Sequence, residues 1–310
     1  MKFLITVPDV KYYLWQLLVQ INNFRKWGYE ENMHILIISY NFKVSPELKK
    51  ILESKELKCH FYLFPDLRIN KNYIVSSKPY LVKQFFFQNP QFQGETFFYT
   101  DPDVVFTMPI DFKPFMQDDI WYGADTRSYL NSKYIKSKGE QLFIELCQIA
   151  GVSPELVIEN DENIIGASWI IKHSDFFLWD AIEGISQQLY DHCVATKDRP
   201  IRKDPKDPYP IQYWAMEMNA MMWIPWKNGI KTRISKDLMF SWANWEVERW
   251  YNVATHHNAG VVKEDGKNFC KVTWQSSPFG KEIKVSEKSI GSKYVEEIRD
   301  TEKKFPNLLW

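Results

Sequence analysis

The chain has 310 residues, enough for one large domain or two small ones, and its 39 Lys and Arg balance 39 Asp and Glu to a net charge of zero. With 45% apolar residues a substantial core can form, which excludes wholesale disorder, while the charge balance argues against a general polyanion binder. Aromatics reach 16% (13 Trp, 16 Tyr, 21 Phe), more than a core usually asks for and a bias towards flat ligands such as sugars or bases.

The four cysteines, Cys59, Cys147, Cys193 and Cys270, include no pair at CxxC spacing. Neither a disulfide framework nor a zinc knuckle is expected, and four reduced thiols suit a cytosolic protein. The opening residues are too short a run for a signal peptide, and no apolar stretch approaches about 18 residues. The expectation is a cytoplasmic protein without a membrane device, from a bacterium or a virus-infected cell.

Residues 2–7 form a β-rich apolar run stopped by Pro8, which predicts a buried first strand opening into a loop. Over 11–27, Leu14, Leu17, Leu18, Ile21 and Phe24 recur at helical spacing, and Gly28 ends that helix. A second strand over 34–39, a second helix over 45–54 capped by Ser45, and a third strand over 58–63 follow. This alternation predicts a mostly parallel sheet with helices on both faces. A helix over 78–88 has Pro79 in its first turn, and the strand at 96–100 runs straight into Asp101-Pro102-Asp103. A further strand at 164–172 precedes a long helix at 175–190.

The segment 197–210 holds four prolines among alternating charges and predicts a loop or an acceptor-side lid. Over 197–208 it carries five Lys or Arg against three Asp, a local basic contact for a nucleic acid. A Met- and Trp-rich helix is expected over 211–223. The last thirty residues read as charged and poorly periodic, with Leu308-Leu309-Trp310 docking on the body. The expected organisation is a single α/β domain over 1–280 and a charged extension over 281–310.

The strongest chemical signal is Asp101-Pro102-Asp103 between an apolar strand and Val104-Val105-Phe106. Ligands of open parallel sheets sit outside the carboxyl ends of strands. Two carboxylates placed there can face a hard cation such as Mg²⁺ or Mn²⁺, which keeps positions open for diphosphate oxygens. The bland alternative is an Asp-Pro turn with two solvated acids. A second signal is Thr255-His256-His257-Asn258-Ala259-Gly260, the only adjacent histidines. One imidazole can complete such a site, and in a strand the two rings face opposite sides, so only one can reach it. Glu217 lies in the Met- and Trp-rich helix, where an acid can hold a donor hydroxyl, act as general base or steady an oxocarbenium ion; otherwise it is a buried carboxylate paired with a base. Trp214 and Trp223 are nine residues apart, so at most one stacks on a ligand, and Trp214, Trp169 and Trp121 are candidate pocket lining.

Residues 77–87 and 98–109, with 166–175, 214–220 and 257–261 following in order, resemble the GT-A-fold nucleotide-sugar glycosyltransferases. The look is nearest the hydroxyproline arabinosyltransferase and peptidyl-serine galactosyltransferase group. The resemblance covers residues 1–262 and implies a GT-A, Rossmann-like fold. It further implies metal-dependent transfer of a sugar from a nucleoside diphosphate sugar, UDP-linked by preference, to an acceptor hydroxyl, with retention of configuration. Carried over, Asp103 is the direct metal ligand and Asp101 touches the ribose and the metal. His257 is the third ligand with His256 as runner-up, and the ion is Mn²⁺ or Mg²⁺. Lys78 and Pro8 join the donor-binding set, Lys78 by neutralising diphosphate, although a helix-surface lysine is the plain alternative. Gly166, Ala167 and Ser168 make a tight floor under the donor sugar or, equally, a glycine-containing strand entry; Glu217 is the catalytic candidate. The acceptor is a hydroxyl on a protein, a glycan or a hydroxymethylated base of viral DNA. Rival readings are a metal-dependent phosphotransferase or nuclease, and a non-catalytic nucleotide-sugar binding protein; no Walker-type loop supports a kinase.

Overall fold

The computed structural model describes residues 1–198 and 210–310, so the expected proline-rich loop falls, over 199–209, outside the described residues. In chain order the regular elements are β1 (Lys2–Pro8), α1 (Lys11–Lys26), β2 (Met33–Ser39), α2 (Pro46–Leu52), β3 (His60–Pro65), α3 (Ser77–Gln88), β4 (Phe97–Thr100) and β5 (Val104–Phe106). They continue with β6 (Trp121–Asp125), α4 (Arg127–Leu130), α5 (Ser132–Ser137), α6 (Glu140–Ala150), α7 (Pro154–Glu159), β7 (Ile165–Ile171) and α8 (Phe176–Thr196). The last are α9 (Met216–Lys227), β8 (Thr232–Ile234), β9 (Phe240–Trp242), β10 (Thr255–His257) and α10 (Gly291–Lys304). The expected class, α/β with mostly parallel strands, is the observed one. The chain divides into two compact units, Met1–Asp66 with Phe97–Phe112 and Lys236–Trp310, and Leu67–Thr96 with Lys113–Ser235.

In the first unit β1 pairs in parallel with β2 and with β4, and β2 pairs in parallel with β3. Every residue of β2 is buried, so both faces of this sheet are covered. That explains the unbroken apolar run, where a one-sided sheet would alternate. Helix α1 is buried without interruption from Leu14 through Phe24, which encloses the polar side chains of Gln16, Gln20, Asn22 and Asn23 as well. Helix α2 starts as predicted on Ser45, whose Oγ accepts from Leu48 N at 3.1 Å. A second, three-stranded sheet holds β10 in the middle, antiparallel to β5 and parallel to β9.

The charged C-terminal segment departs from expectation. Residues 291–304 form the amphipathic helix α10, with Tyr294, Ile298 and Thr301 buried at i, i+4 and i+7, packed on α1. Its outer face is almost entirely charged, which lowers the mean hydropathy and hides the stripe. Beyond it Leu308 is buried, and Trp310 Nε1 donates to Ser276 O at 3.1 Å. Gly291 opens the helix where an added Cβ would stand 2.8 Å from the backbone nitrogen of Phe269.

In the second unit β6 pairs antiparallel with β7 and parallel with β8, with a register shift between Gly123 and Ala124. Helix α8 packs against α3, α6 and α9. The helix expected over 211–223 starts later, at Met216 after the 3-10 turn Tyr213–Ala215, and runs on through Pro225. Trp121 and Trp169 do not line a pocket: they are 0% and 3% exposed, inside β6 and β7, and Trp121 Nε1 donates to Lys172 O at 2.8 Å. Trp223 is likewise buried, whereas Trp214 is 51% exposed. Among the described residues no helix is long and apolar enough to cross a membrane.

Two glycines in helices make opposite predictions. A Cβ at Gly184, inside α8, would meet nothing within 4 Å, so Gly184→Ala should stabilise the protein by about 0.5–1 kcal/mol. Gly291→Ala forces a side chain against Phe269 and should cost about 1–3 kcal/mol. Urea denaturation midpoints read both, and equal shifts would contradict the packing of α10.

Candidate metal centre

The Asp-Pro-Asp segment is the hinge by which the chain leaves the parallel sheet at β4 and enters the small sheet at β5. Val104 N donates to Asp101 O at 3.3 Å, closing a turn with Pro102 at its second position, where the fixed proline φ suits a β-turn. The register of the small sheet then sets the third residue. His257 on β10 lies opposite Val104 on β5, one position from Asp103, and Asn258 N donates to Asp103 O at 3.0 Å.

The result is a cluster in which one ligand atom from each of Asp101, Asp103 and His257 lies within 4.8 Å of the others. His257 Nε2 stands 3.3 Å from Asp103 Oδ1 and 4.0 Å from Asp101 Oδ2. The Asp103 side chain is 5% exposed and that of His257 12%, whereas Asp101 is more open at 23%. Trp242 stacks on the His257 ring at 5.6 Å and 26°. Gly260, three residues on, has φ +92°, a left-handed conformation that favours glycine, and an added Cβ would also touch Trp242 at 3.4 Å.

The two histidines separate by strand alternation. His256 points the other way, fully buried, with Nδ1 3.0 Å from Ser241 Oγ and its ring against Trp250 and Tyr294. Burial, and next the positive charge of His257, hold it neutral, with its pKa pushed down to about 3. Asp103 behaves oppositely. Its burial would raise its pKa, but the charges of Lys271 and His257 and hydrogen bonds from both outweigh that and keep the carboxyl well below the usual range. Lys271 Nζ donates to Asp103 Oδ2. The Tyr12 phenol is pushed upward by its burial and by the neighbouring Asp103 charge.

A buried pair of amides on α1 holds the segment from behind. Gln20 Nε2 donates to Asp101 O at 2.7 Å and Val104 O at 2.9 Å. Asn23 pairs with the backbone of Phe106, donating from Nδ2 at 3.0 Å and accepting at Oδ1 from Phe106 N at 2.8 Å. Both residues were readable as a polar stripe, Gln16, Gln20 and Asn23 at i, i+4 and i+7, beside the apolar positions of α1. Lys271 carries no comparable signal, since 168 residues separate it from its partner.

The other predicted residues lie elsewhere. Pro8 is buried at the end of β1, and Asp9 beside it accepts from Ser45 N at 2.8 Å. In the second unit Lys78 is half-buried in the first turn of α3, and Glu217 is 2% exposed in the first turn of α9. Both act on the buried Tyr73 phenol, which is raised by burial first and then by the Glu217 charge, with Lys78 opposing. Tyr73 Oη accepts from Glu217 N at 3.0 Å and donates to Trp214 O at 2.6 Å, a bridge that sequence reading passed over. Gly166, Ala167 and Ser168 enter β7 buried. A Cβ on Gly166 would stand 2.4 Å from Met218 Cε and 2.6 Å from Thr126 Cγ2, so protein packing by itself demands glycine there. Ala167 takes φ +60° beside the register shift in β6, and Ser168 is fully buried.

The donor set fits a hard or borderline divalent ion. Two carboxylates and one imidazole nitrogen suit Mn²⁺ or Mg²⁺ with positions left open, and no thiolate is present to select zinc. No protein-family model matches the chain, and no curated protein sequence matches it. A crystal structure of the galactosyltransferase LgtC in complex with donor and acceptor sugar analogues is similar at a TM-score of 0.48 and 10% identity, covering 96% of this chain and 95% of that one. A likeness at that level assigns neither a fold family nor an activity.

The clamp from α1 makes the prediction here. Gln20→Leu strips the donor from two backbone carbonyls at the hinge and should cost about 1–3 kcal/mol of stability, measured by denaturant unfolding. A loss under 0.5 kcal/mol, on the order of ordinary surface substitutions, would mean that the hinge holds without the amide.

Proposed function

We propose that this chain is a metal-dependent glycosyltransferase of the GT-A type, which moves a sugar from a nucleoside diphosphate sugar to an acceptor hydroxyl. The observation that carries this is the Asp101–Asp103–His257 cluster at the carboxyl end of β4. Its position follows the rule for ligands of parallel sheets. Its composition is that of a single-ion site with open coordination. Two-metal phosphoryl transfer needs ligands for a second ion about 3.5–4 Å away. Among the described residues this is the one group of three or more His, Cys, Asp and Glu that could hold a metal. That favours sugar transfer over a two-metal nuclease. The motif resemblance over residues 98–109 and 257–261 points the same way.

Asp101, Asp103 and His257 would hold the ion, which when bound supplies positive charge to a departing diphosphate. Lys271 and His257 hold the Asp103 carboxyl well below the usual range, so it is an anionic group at neutrality. His257 offers Nε2 to the site, and stacking on Trp242 fixes the ring plane. Asp101, the more exposed carboxylate, is assigned to the ribose as well as the ion. Glu217 is proposed to act on the transferred sugar or the acceptor hydroxyl, with the bond between its N–H and Tyr73 fixing the start of α9. UDP as the nucleotide, Mn²⁺ as the ion and retention of configuration belong to this reading. The acceptor is proposed as an alcohol of a glycan, a protein or a modified base; the basic segment that would favour nucleic acid lies outside the described residues.

The test is a panel of nucleotide sugars with Mn²⁺, scored for release of nucleoside diphosphate without an added acceptor. One donor should be hydrolysed, and Asp103→Asn or His257→Ala should lower the rate about a hundredfold or more. His256→Asn should leave Mn²⁺ affinity within about threefold, because that ring faces Ser241 and the core. Silence across the panel from folded protein would sink the transferase reading.

A further inference from the structure

Lys271 is a charged group at this centre to which the motif assigns no part. Its Nζ donates to Asp103 Oδ2 while His257 Nε2 stands 3.3 Å from Oδ1, so both oxygens of one buried carboxylate have a partner. The lysine stands on the short 3-10 turn Lys271–Thr273, and its side chain keeps 19% of its surface in water. A flexible four-carbon stem with a route to solvent can leave Oδ2 without unfolding anything.

Charge counting decides what happens when a dication arrives. An imidazole that binds a metal is neutral, so two carboxylates, His257 and a dication sum to zero. Adding Lys271 leaves an uncompensated positive charge against the buried Asp103, which is costly in a medium of low polarisability. Without a dication, Lys271 neutralises the buried Asp103, and Asp101 is the more exposed of the two carboxylates. Each cation therefore satisfies the site alone, and the two together do not.

We propose that Lys271 is an internal competitor for the metal: a divalent ion gains Asp103 only as the ammonium leaves Oδ2, and the lysine keeps the buried carboxylate paired whenever no ion is bound. This rests on Asp101, Asp103 and His257 being metal ligands. The lysine then sets metal affinity without touching the ion, and the hinge keeps one geometry through both occupancies.

The experiment uses the full chain, stripped with chelator and titrated with Mn²⁺ alone, comparing wild type with Lys271→Met and Lys271→Gln for affinity and thermal midpoint. Both variants should bind Mn²⁺ about tenfold tighter than wild type, the coupling expected when a competing ligand is removed. Their midpoints should lie below wild type in chelator, and saturating Mn²⁺ should close most of that gap. Variants too unstable to isolate in chelator should fold when produced in Mn²⁺, and failure to fold there would overturn the proposal. So would variants that bind Mn²⁺ no more tightly than a wild type that binds it. If neither wild type nor variants bind Mn²⁺, the ligand assignment itself fails and the competitor role falls with it.

Discussion

A carboxylate with 5% of its side-chain surface exposed organises this part of the molecule. Asp103 is held in its charged form in the interior by Lys271 at one oxygen and His257 at the other. Neither partner is close in sequence. His257 arrives on the middle strand of the small sheet, and Lys271 on a turn fourteen residues further on. The small sheet and the loop that follows it are thus tied to the end of β4 by one ionic group. A buried charge deprived of a partner costs far more than a surface pair contributes, so the geometry around Asp103 is tightly determined.

The polar clamp from α1 extends that constraint to the backbone. An ordinary amphipathic helix keeps its amides in water, but α1 is enclosed from Leu14 through Phe24, so each buried amide needs a partner. Gln20 and Asn23 find theirs on the carbonyls of Asp101, Val104 and Phe106. The hinge is therefore gripped through its main chain, while charge arranges the Asp101 and Asp103 side chains. Backbone positioning and side-chain chemistry come from different elements, and each can be perturbed without the other.

What was legible in the sequence follows from which physical signals are local. The strands β1 and β2 are continuous apolar runs because both faces are covered, and helix α2 is marked by the Ser45 cap. Asp101-Pro102-Asp103 stood out because an acidic turn is framed by buried strands on both sides. The alternation of His256 and His257 was readable as geometry, although which ring faces the acids depends on pairing with Val104, a contact no spacing reveals. The three-residue strands β5, β9 and β10 are too short to show a period. Helix α10 is hidden in the sequence because its charged face overwhelms a stripe of only Tyr294, Ile298 and Thr301. The start of α9 is not legible because its apolar content begins before its helical hydrogen bonds do. Trp121 and Trp169 went from pocket to core for a related reason. Aromatic surplus in a sequence does not say whether the rings face a ligand or one another, and here the strands carry them inward.

The same reasoning separates two kinds of residue that a motif lumps together. Gly166 reads equally as a floor for a sugar or as a packing glycine. The contacts an added Cβ would make with Met218 and Thr126 give a sufficient reason internal to the protein. His257 has an internal reason too, as a partner of the buried Asp103, but its Nε2 also faces Asp101. Its Nδ1 is buried without a hydrogen-bond partner among the described residues, while its Nε2 faces two carboxylates, one of them fully paired already. A bare ring nitrogen does not by itself distinguish it, since His256, which faces the core, also leaves its Nε2 buried without a hydrogen-bond partner among the described residues. What sets His257 apart is an imidazole nitrogen turned to two carboxylates at the end of a parallel strand, and the proposed metal site rests on that placement.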